Sequence, residues 1–185
     1  HDLKNKLIGI YGIEDDNELI RTKIKEIIGE LEDSKKNLYT DNCILNSVLN
    51  IKYSAAQVAD IKIESNIFVP KYMNIDYGDM GVLFGNLLDN AIEANQGVDR
   101  KKRWINVSVK YEEHILIINI KNSKIRGSRR KKKGYLNHGI GLNSVKQIVE
   151  KFNGIVEVQD FGEMYEVSAI LYGICDDKDL GKSVL

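Results

Sequence analysis

The chain has 185 residues and a balanced charge, 27 Lys and Arg against 27 Asp and Glu, which supplies no global field for nucleic acid. Two distant cysteines, Cys43 and Cys175, make neither a disulfide framework nor a metal-ligand spacing, and histidines at positions 1, 114 and 138 do not make a zinc site. No apolar run approaches the ~18 residues of a membrane span, and no signal peptide is visible. A soluble piece from a reducing compartment is expected, with room for a membrane segment upstream of residue 1. The length fits one domain with an appendage or two small domains.

His1 to Ile13 places Leu3, Leu7 and Ile10 at helical spacing. Gly12 and the run Glu14, Asp15, Asp16 and Asn17 break it, and Asp16 or Asn17 is placed to cap a second helix from about Glu18 to Asn37. Leu19, Ile20, Ile24, Ile27, Ile28, Leu31 and Leu38 form its stripe. One hairpin cannot bury two such stripes. Residues 1–40 therefore predict a homodimer in which two chains build a four-helix bundle.

The composition changes at Thr40-Asp41-Asn42, a cap signal for a helix to about Asp60 carrying Ile44, Leu45, Val48, Leu49, Tyr53 and Ala56. Ile61 and Ile63 alternate with polar residues as a strand, and Pro70 marks the following loop. Asp76 or Asp79 is placed to cap a helix that ends near Gly97. Met80, Leu83, Leu87, Ala91 and Ala94 are its apolar face. Trp104 to Tyr111 alternates, with Ile105, Val107 and Val109 on one side, and Ile115 to Ile120 reads as a central strand. A basic loop spans Ser123 to Asn137. Gly139 to Phe152 reads as a helix stopped by glycine at Asn153-Gly154. Ile155 to Gln159 and Glu163 to Leu171 pair as a hairpin around Asp160-Phe161-Gly162, and His114 falls in a turn. Residues 41–172 thus predict an α/β two-layer sandwich, an antiparallel or mixed sheet with three helices on one face. The whole chain is α+β, and the polar tail 173–185 is expected to fray.

The chemistry concentrates in Met80 to Asn95. Asn86, Asn90 and Glu93 recur at four and three, within roughly 60° of one another at about 100° per residue. Two amides beside a buried stripe need partners. Downstream, Gly139 and Gly141 open a helix. There glycine lets a backbone approach phosphate, and the first N–H groups are unpaired.

These stretches carry a resemblance. NLLDNAIEA (86–94) resembles the N box of the GHKL superfamily, HGIGL (138–142) its second glycine box, and HDLKNKL (1–7) the phosphoacceptor box of sensor histidine kinases. They occur in the kinase order. The chain is therefore similar to a histidine kinase core, a phosphotransfer hairpin followed by the Bergerat (GHKL) ATP-binding fold. HDLKN and NHGIGLNSVKQIVEKFNG are similar to peptide quorum-sensing (Agr-type) kinases.

The resemblance implies ATP and Mg²⁺, with Asn90 as the metal ligand and Asn86 toward the phosphates or a metal-bound water. His138, Gly139, Gly141 and Leu142 belong to the glycine box, and the 123–137 loop, with its basic cluster, is the lid. Asn86 stands where hydrolytic members carry a water-activating glutamate, which suits a kinase. Two departures stand out. Glu93 occupies a position that is commonly basic. Ile120-Lys121-Asn122-Ser123 lacks the aspartate of the first glycine box, so Asn122 is the substitute partner for adenine, and modest ATP affinity is expected. His1 is the implied phosphoacceptor, Asp2 its orienter and base, and Asn5 the residue that orients a water for dephosphorylating the partner. A response-regulator receiver domain, a membrane sensor upstream and a cytoplasmic location follow. The alternatives are a catalytically weak docking or phosphotransfer module (a pseudokinase) and a hydrolytic GHKL ATPase.

Overall fold

The computed structural model describes residues 37–127 and 140–176. The two N-terminal amphipathic segments with His1, Asp2 and Asn5, most of the basic loop with His138 and Gly139, and the tail beyond Asp176 lie outside the described residues. The described residues from Leu38 onward form one compact unit.

Helix α1 (Cys43–Val58) begins where Asn42 Oδ1 accepts from the Leu45 N–H at 3.0 Å. Strand β1 (Lys62–Phe68) follows, then helix α2 (Tyr77–Asn95). Of the two aspartates placed to cap α2, Asp76 does so, accepting from Gly78 N at 2.8 Å and Asp79 N at 3.3 Å. A 3₁₀ turn (Arg100–Lys102) leads into β2 (Trp104–Glu112) and β3 (Ile115–Ser123). Helix α3 (Ile140–Lys151) precedes β4 (Ile155–Asp160) and β5 (Met164–Tyr172).

The five strands lie in the order β1-β2-β3-β5-β4. Only β1 and β2 run parallel, because α2 carries the chain back between them; the other pairs are antiparallel. The sheet is therefore mixed, and β3 is its central strand. Glu113 and His114 both take left-handed φ, 46° and 66°, which the two-residue β2–β3 hairpin requires.

One face of the sheet carries the core. Ile105, Val107 and Val109 of β2, Leu116, Ile118 and Ile120 of β3, and Val167, Ala169 and Leu171 of β5 all point into the helix layer and are buried. The apolar run in β3 does not mean burial on both sides, since Ile117 is exposed on the helix-free face. Helix α2 contributes Met80, Leu83, Phe84, Leu87, Leu88 and Ala91, each fully buried Leu or Phe adding roughly 1.5–3 kcal/mol. The stripe does not end at Ala94, which is half-buried; the buried terminal position is Asn95.

Two further expectations change. Asn153, not Gly154, takes the left-handed conformation after α3, with φ 51°. Gly154 is needed for space: a Cβ there would collide with the Ile170 carbonyl oxygen and lie 2.6 Å from Val149 Cγ1. Residues just past Gly173 do not fray either. Ile174 is fully buried, its N–H donates to the His114 carbonyl at 2.9 Å, and the Cys175 N–H donates to Asn74 Oδ1 at 2.8 Å. An apolar side chain at the end of β5 thus still pays into the core.

Candidate functional site

Helices α2 and α3 pack with opposed directions. Near the start of α2, Asp79 accepts from Lys151 Nζ at 2.7 Å, at the end of α3. Seven residues on, Asn86 meets the start of α3: a Cβ on Gly141 would sit 3.3 Å from Asn86 Oδ1 and 3.5 Å from Asn86 Cγ. Asp79 and Asn86 lie about 20° apart around the helix, so the flank that carries Asn86, Asn90 and Glu93 is the one turned toward α3. Asn86 and Asn90 are half-buried and Glu93 is exposed.

Gly141 leaves the opening turn of α3 open beside an amide. That turn offers main-chain N–H groups without helical partners and the positive end of the helix dipole. An anion held there would also face the Asn86 side chain. Leu142, in the same turn, is half-buried. His138 and Gly139 lie outside the described residues, as do His1, Asp2 and Asn5, so of the expected set α2 and α3 bring Asn86 to Gly141, with Asn90 one turn further along α2 on the same flank and Leu142 beside Gly141 in the chain.

Among the described residues no group of three or more His, Cys, Asp or Glu side chains is arranged to hold a metal. The amide oxygens of Asn86 and Asn90 are neutral hard donors. They suit Mg²⁺, which retains waters and takes its other oxygens from phosphates. Asn86 at the Gly141 notch fits that group.

Asn122 lies at the end of the inward-facing row of β3 and is 2 % exposed. Its NH₂ donates to the Ser123 carbonyl at 2.9 Å. Ser123 Oγ donates to Asn95 Oδ1 at 2.5 Å and accepts from the Trp104 N–H at 3.0 Å. Asn95, fully buried, donates to the Ala91 carbonyl at 2.9 Å and the Trp104 carbonyl at 3.3 Å. This network ties the end of α2 to the ends of β2 and β3. Sequence reasoning overlooked Asn95 and Ser123. The signal for Asn95 was its place four residues after Ala91, on the apolar stripe.

Where the chain leaves β3, Lys124 Nζ donates to Asp160 Oδ2 at 2.5 Å and holds that carboxyl below its usual range, helped by the Gly162 N–H. This anchors the start of the basic loop. A groove of about 350 Å³ between α1 and α2 is lined by Val48, Ile51, Gly81, Val82, Gly85 and Asn86, and by the ion pair of Lys52 with Asp89 at 2.7 Å. A second groove of about 360 Å³, beside Lys62 and Trp104 at the β1–β2 edge, shares no residue with the Asn86–Gly141 contact.

A family model of the GHKL domain matches residues 75–171. Comparison with curated proteins finds no match. The fold is similar to that of the catalytic domain of histidine kinase ThkA in a nucleotide-free form, with a TM-score of 0.57 and 14 % identity over 71 % of this chain and 91 % of that one. Histidine kinase AdeS of Acinetobacter baumannii gives a TM-score of 0.53 at 15 % identity, over 92 % of this chain and 93 % of that one. Full-length ShkA in complex with AMPPNP gives 0.55 at 15 % identity, over 80 % of this chain and 34 % of that one.

Proposed function

The chain belongs to the GHKL domain family, and from that premise we propose that it is the ATP-dependent catalytic core of a sensor histidine kinase. The observation that carries the reading is the contact of Asn86 with Gly141. It joins an amide pair on α2 to the open first turn of α3, the arrangement a nucleotide's phosphates need. ATP is the substrate, and the structural neighbour ShkA, solved with an ATP analogue, supports a nucleotide in this fold.

Asn90, with Asn86 one turn before it, supplies amide oxygens for Mg²⁺, which neutralises phosphate charge when bound. The main-chain N–H groups of the α3 opening turn hold the phosphate oxygens, with His138, Gly139 and Leu142 completing the glycine box. The Asn86 amide is too weak a base to activate water, and the carboxylate on the same turn, Asp89, is paired with Lys52, so the γ-phosphoryl is kept for a protein acceptor. Asn122 meets the adenine. Glu93, exposed on the same flank, lies nearer the solvent side.

The acceptor is His1. Its neutral imidazole Nε2 forms a bond to the γ-phosphorus as the bond to the bridging oxygen breaks and ADP leaves. Asp2 holds Nδ1–H and takes that proton, and Asn5 orients water for the reverse duty on the partner. The N-terminal helices pair two chains, and a response-regulator receiver aspartate takes the phosphoryl group. The core lies on the cytoplasmic side of a membrane sensor for a peptide quorum signal. No described helix is long and apolar enough to cross a membrane.

Calorimetry with Mg·ATP on the chain and on Asn90→Ala tests this. Micromolar to sub-millimolar binding that is lost in the variant is expected. No binding at millimolar ATP would overturn it and favour the second reading, a docking or phosphotransfer module without productive ATP use. That reading draws on Asn122 standing where the family has an aspartate. Steady phosphate release without phosphoprotein would instead indicate a hydrolytic ATPase.

A further inference from the structure

Asn122 is a buried amide whose orientation decides what it recognises. A half turn about its last side-chain bond exchanges an acceptor for a donor pair of nearly the same size. With oxygen outward it accepts from a 6-amino base, and with NH₂ outward it donates to a 6-oxo base. The neighbours force the choice. The Ser123 carbonyl, 2.9 Å away, only accepts, so the NH₂ must face it. Among the described residues none donates to Asn122 Oδ1.

Asn95 is fixed in the same way. Asn95 is anchored by two carbonyl oxygens, those of Ala91 and Trp104, so its NH₂ points to them and its Oδ1 to Ser123. The Ser123 hydroxyl must then donate to Asn95, which leaves its lone pairs for the Trp104 N–H. That bond continues the β2–β3 ladder one step past the Ile105–Asn122 pair. Each donor assignment fixes the next, and Ser123, held at two points, fixes its own carbonyl.

We infer that Ser123, held by Asn95, is a positioning residue that turns the Asn122 amide oxygen toward the ligand and so selects a 6-amino purine nucleotide over a 6-oxo one. The inference rests on the nucleotide reading above and adds to it a source of base selectivity in a chain without the family's aspartate. A carboxylate accepts on both oxygens and needs no such orientation; an amide does.

The test measures Mg·ATP and Mg·ITP binding to the full chain by calorimetry. The wild-type chain is expected to favour ATP by about tenfold, the scale of one well-formed buried hydrogen bond. Ser123→Ala is expected to move that ratio several-fold toward unity, while Ser123→Thr, which keeps the hydroxyl, retains it. Adding Asn122→Asp to Ser123→Ala is expected to restore the preference. If Ser123→Ala does not fold, Ser123→Cys, a weak donor of similar size, takes its place. A wild-type chain that binds both nucleotides equally overturns the inference, as does a Ser123 variant that loses both in equal proportion. Failure of the wild-type chain to bind either nucleotide removes the nucleotide reading as well.

Discussion

The two ends of helix α3 each carry a glycine, and they carry it for different reasons. At the C-terminal end Gly154 is enclosed: the Ile170 carbonyl and Val149 leave no room for a methyl group, so the residue is part of the packing. At the N-terminal end Gly141 has the Asn86 side chain as its nearest described neighbour, at 3.3 Å, and a methyl group there is tight but not forbidden. One glycine holds the helix against the sheet. The other keeps a space beside an amide pair and a row of main-chain N–H groups. A glycine that architecture does not require, next to groups suited to an anion, is the stronger pointer to a ligand.

Substitutions at the two ends should separate these roles. Gly154→Ala should have the largest effect, a loss of about 3 kcal/mol and a fall of about 6–12 °C in Tm by calorimetry, because backbone at Ile170 must move. Gly141→Ala should do the opposite. Replacing a helical glycine stabilises by up to about 1 kcal/mol, while Mg·ATP affinity falls about tenfold as the methyl group fills the notch. A Gly141→Ala variant that binds ATP normally would sever the notch from the function. Lys151→Ala, which breaks a partly exposed ion pair with Asp79, should cost less than about 1 kcal/mol, and less still at high salt. Asn153→Gly should change least, gaining a few tenths of a kcal/mol, since asparagine already tolerates the left-handed turn.

Much of this arrangement is written in local patterns. The capping asparagine at 42 and aspartate at 76, the alternation of β2, the central β3 run and the β4–β5 hairpin are each decided by residues a few positions apart. The Asn86–Asn90 spacing is decided in the same way, so the amide pair and the glycine-opened helix were legible before any fold. Three features were not. Ala94 looked like the end of the apolar face, but Asn95 is the buried residue, because Ala91, Trp104 and Ser123 satisfy its amide. Gly154 looked like a helix-ending residue, but a strand distant in sequence occupies the space a side chain would need. Ile174 looked like part of a polar tail, but the β2–β3 turn supplies a partner for its backbone.

Residue order alone determined which described segments are helices and strands, which faces are apolar, and that Asn86 and Asn90 share one flank of a helix, since helical and strand periodicity are properties of neighbours along the chain. Only the tertiary structure decided that Asn86 faces Gly141, that α2 and α3 run in opposite directions, and that Asn122 is turned by Ser123. Those facts depend on carbonyls and hydroxyls contributed by elements far apart in the chain, and a donor finds its acceptor only once the core has set their distance.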